Sequence, residues 1–520
     1  MLPPSRTISL LGVLVHLASS ISATAIPTSS ASPVLLISSN SPSANLAECL
    51  RSSYYGTYGG SSSSQDHIYM PSEECLSSAS ALDDFTSGSI VPLSRGQTFA
   101  QADEGRLVWV GQAGVEMQIQ NMEDSWSIIT DRARELALLT LGSDSVSESN
   151  QHVLSSSTSS NNNNAQRHLA PIQLLHQTPS SLLLHVPSSY LPIIDTLLPP
   201  HLVPVALPST PLPEAGLESV PPKFAQHLAN ITKHLKFSPK IDQIVSDGID
   251  LNHIRRDVRW LTGEAPSGIE SRHSFTDGAI KAARWIKAKV EQTGASCALR
   301  PFLNGFAPNV ICTYPSLHNS TEHVILSAHY DSRGSFGSTR APGGDDDGSG
   351  SGHLLGVAHA ILTQEIKFEK SVTLAFFAGE EQGLLGSHAY AEYLHSKNAT
   401  VVLQVQADML AYHAPGETLQ IGLPESIHLP EASYLIGNLS HLYSPELVVG
   451  TTAACCSDHQ SFVSYGFPAT QVFERNGGIV DPMYHNSGDL TQREGYDFEQ
   501  VVSIAKVTFA ALLTVAGFKA

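Results

Sequence analysis

Beyond about residue 235, short apolar runs alternate with amphipathic helical ones. Residues 324–329 are followed by 350–364 and residues 372–378 by 387–396; then come 401–408 and 469–473, and 496–517 closes the chain. Apolar strands without polar alternation are buried on both faces, and helices between consecutive strands make those strands parallel. The pattern predicts an α/β fold, a largely parallel mixed sheet flanked by helices. In such sheets ligands bind beyond the carboxyl ends of the strands. That is where the polar residues fall: His329 and Asp331 close the first run, Glu380 and Glu381 the second, and Asp408 the third. Asp345, Asp346 and Asp347 follow a glycine-rich turn that opens a helix, and His485 lies in a late loop.

The chain before this point reads differently. Residues 26–215 mix Ser/Gly-rich turns with short strand-like runs at 105–111, 116–120, 181–186 and 202–207 and a helical stretch at 125–141. This predicts a small α+β region without recognisable chemistry. Residues 143–166 are rich in Ser and Asn and poor in apolar side chains, the composition of a disordered stretch. A proline-rich segment from 208 to 222 marks a boundary, so 216–239 is expected to be a linker and 240–520 the second, chemistry-bearing domain. At 520 residues, two folded units are the natural expectation.

The first 25 residues have the layout of a secretory signal. Arg6 precedes a short apolar run, and Ala23-Thr24-Ala25 offers small residues at a cleavage site. No later stretch reads as a membrane span. A secreted protein is therefore expected, and other features agree with that compartment. Asn230, Asn319, Asn398 and Asn438 each begin a glycosylation acceptor. The cysteines number 6, an even count that suits disulfides in an oxidising setting. Proximity favours Cys49–Cys75 and Cys297–Cys312. The adjacent Cys455 and Cys456 form either a vicinal bridge or two separate pairings. No CxxC spacing supports a cysteine metal site. The net charge of −19 argues against nucleic acid and anionic membrane surfaces as partners.

Imidazoles and hard oxygen donors without thiolates suit catalytic zinc, which keeps a position open for water or substrate. Taken singly, each residue has an ordinary explanation. Asp347, just before Gly-Ser-Gly, reads as a helix cap. A lone histidine in a loop is usually just solvated, and adjacent glutamates usually face water. Glu380-Glu381, however, follow an apolar strand, where uncompensated charge is costly. From the residues alone, the choice among the three consecutive aspartates stays open.

The segments SAHYDSRG, APGGDDDGSGSG, FFAGEEQGLLGS, VQADM, CSDHQSF and YHNSGD, in this order, resemble the di-zinc aminopeptidases, the leucine-aminopeptidase-like peptidases of fungi and bacteria. The resemblance covers about 240–518. It implies two Zn2+ per subunit and peptide substrates with free N-termini. It makes His329 and Asp408 ligands of one zinc, Glu381 and His485 ligands of the other, and Asp346 the bridge. Asp331 would orient His329 through its second nitrogen, and Glu380 would be the general base. Neighbouring side chains on an extended backbone diverge, so Glu381 can hold a metal while Glu380 moves a proton. Ser457-Asp458-His459 would order a loop beside the substrate. As consecutive residues without a nucleophile elbow, they do not read as a hydrolase triad. One departure is Thr452, where secreted members often carry a cysteine.

Rival readings share the scaffold: a one-zinc glutaminyl cyclase, a carboxypeptidase, or a binding protein that has lost catalysis. The region 26–235 reads either as a removable propeptide or as a permanent accessory domain that narrows access to the site. Oligomeric state is not legible.

Overall fold

The computed structural model describes residues 33–40, 46–59, 65–77, 88–94, 105–115, 122–142, 170–213, 220–454 and 456–520. The signal segment 1–25, the strand-like run 116–120, the Ser/Asn-rich stretch 143–166 and Cys455 lie outside the described residues.

Two antiparallel sheets make up the N-terminal region. The first contains β1 (Val34–Ser38), β2 (Tyr54–Tyr58), β3 (Asp66–Tyr69) and β4 (Ser89–Pro92), in the order β2-β3-β1-β4. The second contains β5 (Arg106–Gln112), β6 (Gln173–Gln177), β7 (Ser181–Val186) and β8 (Leu202–Ala206), in the order β6-β7-β5-β8. A helix at Met122–Gly142 accompanies the second sheet. The small α+β region expected from the sequence is therefore present, with β5, β7 and β8 close to their predicted limits.

The larger part of the chain is built on β9 (Ser296–Arg300), β10 (Asn309–Tyr314), β11 (Glu322–His329), β12 (Lys367–Phe368), β13 (Ser371–Phe377), β14 (Thr400–Ala407), β15 (Gln420–Pro424), β16 (Val448–Thr452), β17 (Ala469–Val472) and β18 (Phe518–Lys519). A six-stranded mixed sheet runs β17-β14-β11-β13-β10-β9. From β17 to β13 every neighbouring pair is parallel, while β10 pairs antiparallel with both β13 and β9. The chain passes from β11 to β13 on one side and then returns to β14 on the other. That reversal opens a crevice at the carboxyl ends of the strands, the place where ligands bind in such sheets. The pair β15–β16 is parallel, and β12–β18 fastens the chain end.

Successive side chains along a strand face opposite ways, and β11 shows the consequence. Val324, Leu326 and Ala328 pack into a core shared with the helices Leu251–Leu261, Asp277–Glu291, Gly348–Thr363 and Phe498–Ala516. Ile325 points to the other face, where Ile311, Ala375, Phe377 and Val401 meet Leu36, Tyr54 and Tyr69 of the N-terminal region. The N-terminal region is thus one of the layers that cover the central sheet. Each fully buried Leu, Ile or Phe on this face is worth about 1.5–3 kcal/mol.

Two expectations need correction. Residues within the expected linker 216–239 form a helix, Pro222–His234. Pro222 occupies its first turn, and Phe224, Leu228 and Ile231 recur at helical spacing and pack on the core. Proline marked a helix start there. The helix Phe498–Ala516 is also long and apolar enough to span a membrane by length and composition, contrary to the expectation that no such stretch exists. Of its most apolar 18-residue window, 83% is buried inside the fold, which accounts for its apolar character.

Both disulfides inferred from proximity are present. Cys49–Cys75 ties two short N-terminal helices, and Cys297–Cys312 joins directly paired residues of β9 and β10. Cys456 is also disulfide-bonded. Of the glycosylation acceptors, Asn230, Asn319 and Asn398 are exposed and Asn438 is half-buried on a helix.

Candidate metal centre

Strand ends bring the polar residues together. His329 is the last residue of β11, Glu380 and Glu381 follow β13, and Asp408 follows β14. The helix Gly348–Thr363 starts beside them because its first turn carries glycine. A Cβ on Gly350 would overlap the Ala407 carbonyl at the end of β14. This close approach carries the aspartate triplet into the crevice.

The triplet, ambiguous in the sequence, is divided by geometry. Asp347 caps the helix: its Oδ1 accepts from the Gly350 amide at 2.8 Å and its Oδ2 from the His329 amide at 3.1 Å. Asp345 turns away and accepts from the Ala411 amide at 2.9 Å. Asp346 alone spans the imidazoles, with Oδ1 3.2 Å from His329 Nε2 and Oδ2 3.4 Å from His485 Nε2. On the His329 side, Asp408 Oδ1 stands 3.6 Å from the same Nε2. On the His485 side, Glu381 Oε2 stands 3.3 Å from Nε2. The sequence-derived ligand residues therefore fall into two halves that share Asp346. The far nitrogens of both rings are also engaged. His329 Nδ1 lies 3.2 Å from the Asp331 carbonyl and 3.5 Å from its Oδ1, and His485 Nδ1 donates to the Pro200 carbonyl at 2.8 Å.

Asp331 is held in turn, its Oδ2 accepting from Ser274 Oγ at 2.8 Å and the Gly379 amide at 3.0 Å. Glu380 and Glu381 both line the cavity at the centre of these residues; they sit in a bend and turn after β13, not on the extended backbone expected from the sequence. Ser457, Asp458 and His459 are buried and do not line that cavity; Asp458 accepts from Gln406 Nε2 at 3.1 Å. Thr452, the departure noted above, donates to the Gly477 carbonyl at 2.6 Å.

The electrostatics are those of carboxylates short of positive charge. Burial pushes Asp346 up to about 6 and Glu381 up to about 8, and it raises Glu380 well above the ordinary glutamate value. Asp458 is pushed up to about 7 by the same burial. Burial lowers His485 to about 3, so its ring is neutral and offers Nε2 as an acceptor. Glu381 Oε1 is buried without a hydrogen-bond partner among the described residues. His329, Asp346 and Glu381 offer donor atoms within 4.8 Å of one another, as do His329, Asp347 and Asp408. Of the latter group, Asp347 is already engaged as the helix cap. Burial opposes charge on His329, but Glu380 and Asp408 outweigh it and hold its pKa well above the ordinary histidine value, so this ring carries the positive charge that a cation would bring. Two imidazoles with clustered carboxylates form a donor set that fits divalent cations of the zinc type.

Two features of the site carried no sequence signal. The cavity wall includes Val203 and Pro204 from the N-terminal region, and the Arg333 guanidinium donates to the Leu198, Pro199 and Leu202 carbonyls. A backbone carbonyl acting as acceptor has no residue-type signature, so only the fold exposes it.

Residues 309–509 match the model of peptidase family M28. A probable leucine aminopeptidase of Trichophyton verrucosum is 29% identical over 293 residues, covering 54% of this chain and 76% of that protein. Leucine aminopeptidase 1 of Sclerotinia sclerotiorum is 28% identical over 274 residues, covering 49% and 69%. In structure, the Legionella pneumophila LapA aminopeptidase superposes with a TM-score of 0.53 at 20% identity, covering 67% of this chain and 95% of that one. LapB of the same organism gives a TM-score of 0.51 at 18% identity. Those superpositions speak for the fold, and the sequence matches show likeness to these peptidases over part of the chain.

Proposed function

We propose that this chain, whose residues 309–509 match peptidase family M28 and which is similar to fungal leucine aminopeptidases, is a secreted di-zinc aminopeptidase that removes residues from free peptide N-termini. The observation that carries the reading is Asp346, whose two oxygens face one imidazole each. His329 and Asp408 would hold one cation, and Glu381 and His485 the other, with Asp346 between them. Such a cation pair polarises a scissile carbonyl and lowers the pKa of water beside it.

The chain's own residues do the rest. Glu380 stands in the cavity free of the ligand pairs, so it accepts the proton of the attacking water and delivers it to the departing amine. Asp331 orients His329, and the Pro200 carbonyl orients His485. The carboxylate-rich wall favours the positive α-ammonium of a free N-terminus.

Metal analysis of the secreted protein, with leucyl-anilide hydrolysis measured before and after chelation, tests this. Two zinc per chain are expected, with activity lost on chelation and restored by zinc. One zinc with cyclisation of N-terminal glutamine would replace the reading with a cyclase. A metal-replete protein inert in both assays would leave a binding protein.

A further inference from the structure

We propose that the N-terminal region is a permanent part of this enzyme that completes its metal centre, and that Val203 narrows the space left for the side chain of the cleaved residue. The proposal rests on the di-zinc aminopeptidase reading.

His485 Nδ1 faces the Pro200 carbonyl at 2.8 Å, and a carbonyl only accepts. The proton must therefore sit on Nδ1, which leaves the Nε2 lone pair aimed at Asp346 and Glu381. The segment bearing this carbonyl is clamped on both sides of Pro200. Arg333 Nη2 donates to Leu198 O at 2.6 Å and Pro199 O at 3.1 Å, and Nη1 donates to Leu202 O at 2.8 Å. One turn earlier, Asp195 is buried against His273 Nε2 at 3.1 Å. Taking the region away would strand Arg333 and His273 as buried charges and bare the face of the central sheet that carries Ile325 and Phe377. Those losses fall on the fold and on the orientation of His485. A detachable inhibitor would instead leave both intact.

The same segment sets the size of the site. Val203 and Pro204 stand in the wall of the cavity that His329, Asp346, Glu380 and Glu381 also line, and Val203 packs against the apolar cluster of Met409, Ala454, Phe473 and Ile479. A longer side chain at the cleaved residue meets that wall before an alanine methyl does.

The test uses the full, zinc-loaded chain. Val203→Ala and Val203→Gly should raise the leucyl-to-alanyl ratio of kcat/KM by about tenfold or more, mainly through the leucyl KM, and Val203→Ile should lower it. In parallel, residues 214–219 are replaced by a site-specific protease sequence and the purified protein is cut. The two pieces should elute together with their zinc, and parting them in mild urea should release metal as well. A ratio indifferent to Val203 overturns the specificity claim. Spontaneous release of the N-terminal piece with a rise in turnover overturns permanence. If the loaded chain cleaves no aminoacyl anilide, the aminopeptidase reading fails, while zinc retention after cutting still decides whether the region completes the centre.

Discussion

The N-terminal and catalytic regions meet at one cavity and contribute opposite kinds of group. The central sheet supplies side chains with charge: His329, Glu380, Glu381 and Asp408 at its strand ends and Asp346 beside them. The N-terminal sheets supply backbone carbonyls and apolar walls, namely Pro200 O, Val203 and Pro204. A parallel sheet aims several strand ends at one crevice, so side chains far apart in sequence converge there without strained loops. An antiparallel region laid over that crevice can close, hold and shape it. The comparison teaches that chemistry leaves a trace in residue types, whereas support leaves almost none.

That division can be broken by experiment, and the largest effect is expected from the base. Glu380→Gln should lower kcat about 10³-fold while bound metal and melting temperature stay as in the parent. Near-normal turnover would remove the base from its role. Next, a change in the N-terminal region should act on stability. Asp195→Ala leaves His273 and Arg333 without their buried counter-charge and should cost about 3–5 kcal/mol in denaturant unfolding. An unchanged midpoint would show that the regions are not welded there. Leu36→Ala, at a fully buried position of β1, should cost about 2–3 kcal/mol. It should do so within a single transition for the whole chain, because Leu36 shares a core with the central sheet. Two separate transitions would make the N-terminal region an independent unit.

The smallest effect expected is a pH dependence. Burial alone would lower the pKa of His273, but Asp195 outweighs it and raises it above 6.5. Burial likewise opposes the charge on Asp195, yet His273 and Arg333 hold its pKa below 3.8. The histidine's contribution is fully present below 6.5 and fades as pH rises through its higher folded value. The aspartate's contribution is present above 3.8 and fades as pH falls through its lower folded value. The stability difference between the parent and Asp195→Asn should therefore be widest between pH 3.8 and 6.5 and narrow as pH rises through the raised value of His273. A difference flat across this range would mean that the pair carries no linked charge.

Much of the catalytic region was legible in the chain itself. The alternation of apolar and helical runs located β11, β13, β14 and β17 to within a residue or two, because buried parallel strands admit few polar residues. The ordered motifs at their ends pointed to polar residues that the fold brings within a few ångströms of one another, and cysteine spacing named Cys49–Cys75 and Cys297–Cys312. What tertiary structure decided was of another kind. It sorted Asp345, Asp346 and Asp347 into an acceptor for the Ala411 amide, a span between imidazoles and a helix cap, since three identical side chains differ only in where the backbone points them. It turned an expected linker into the helix Pro222–His234. It also laid the N-terminal sheets over the crevice, where a carbonyl and a valine act through position alone. Composition and spacing record which groups a chain carries; which of them face one another is settled only when distant segments pack.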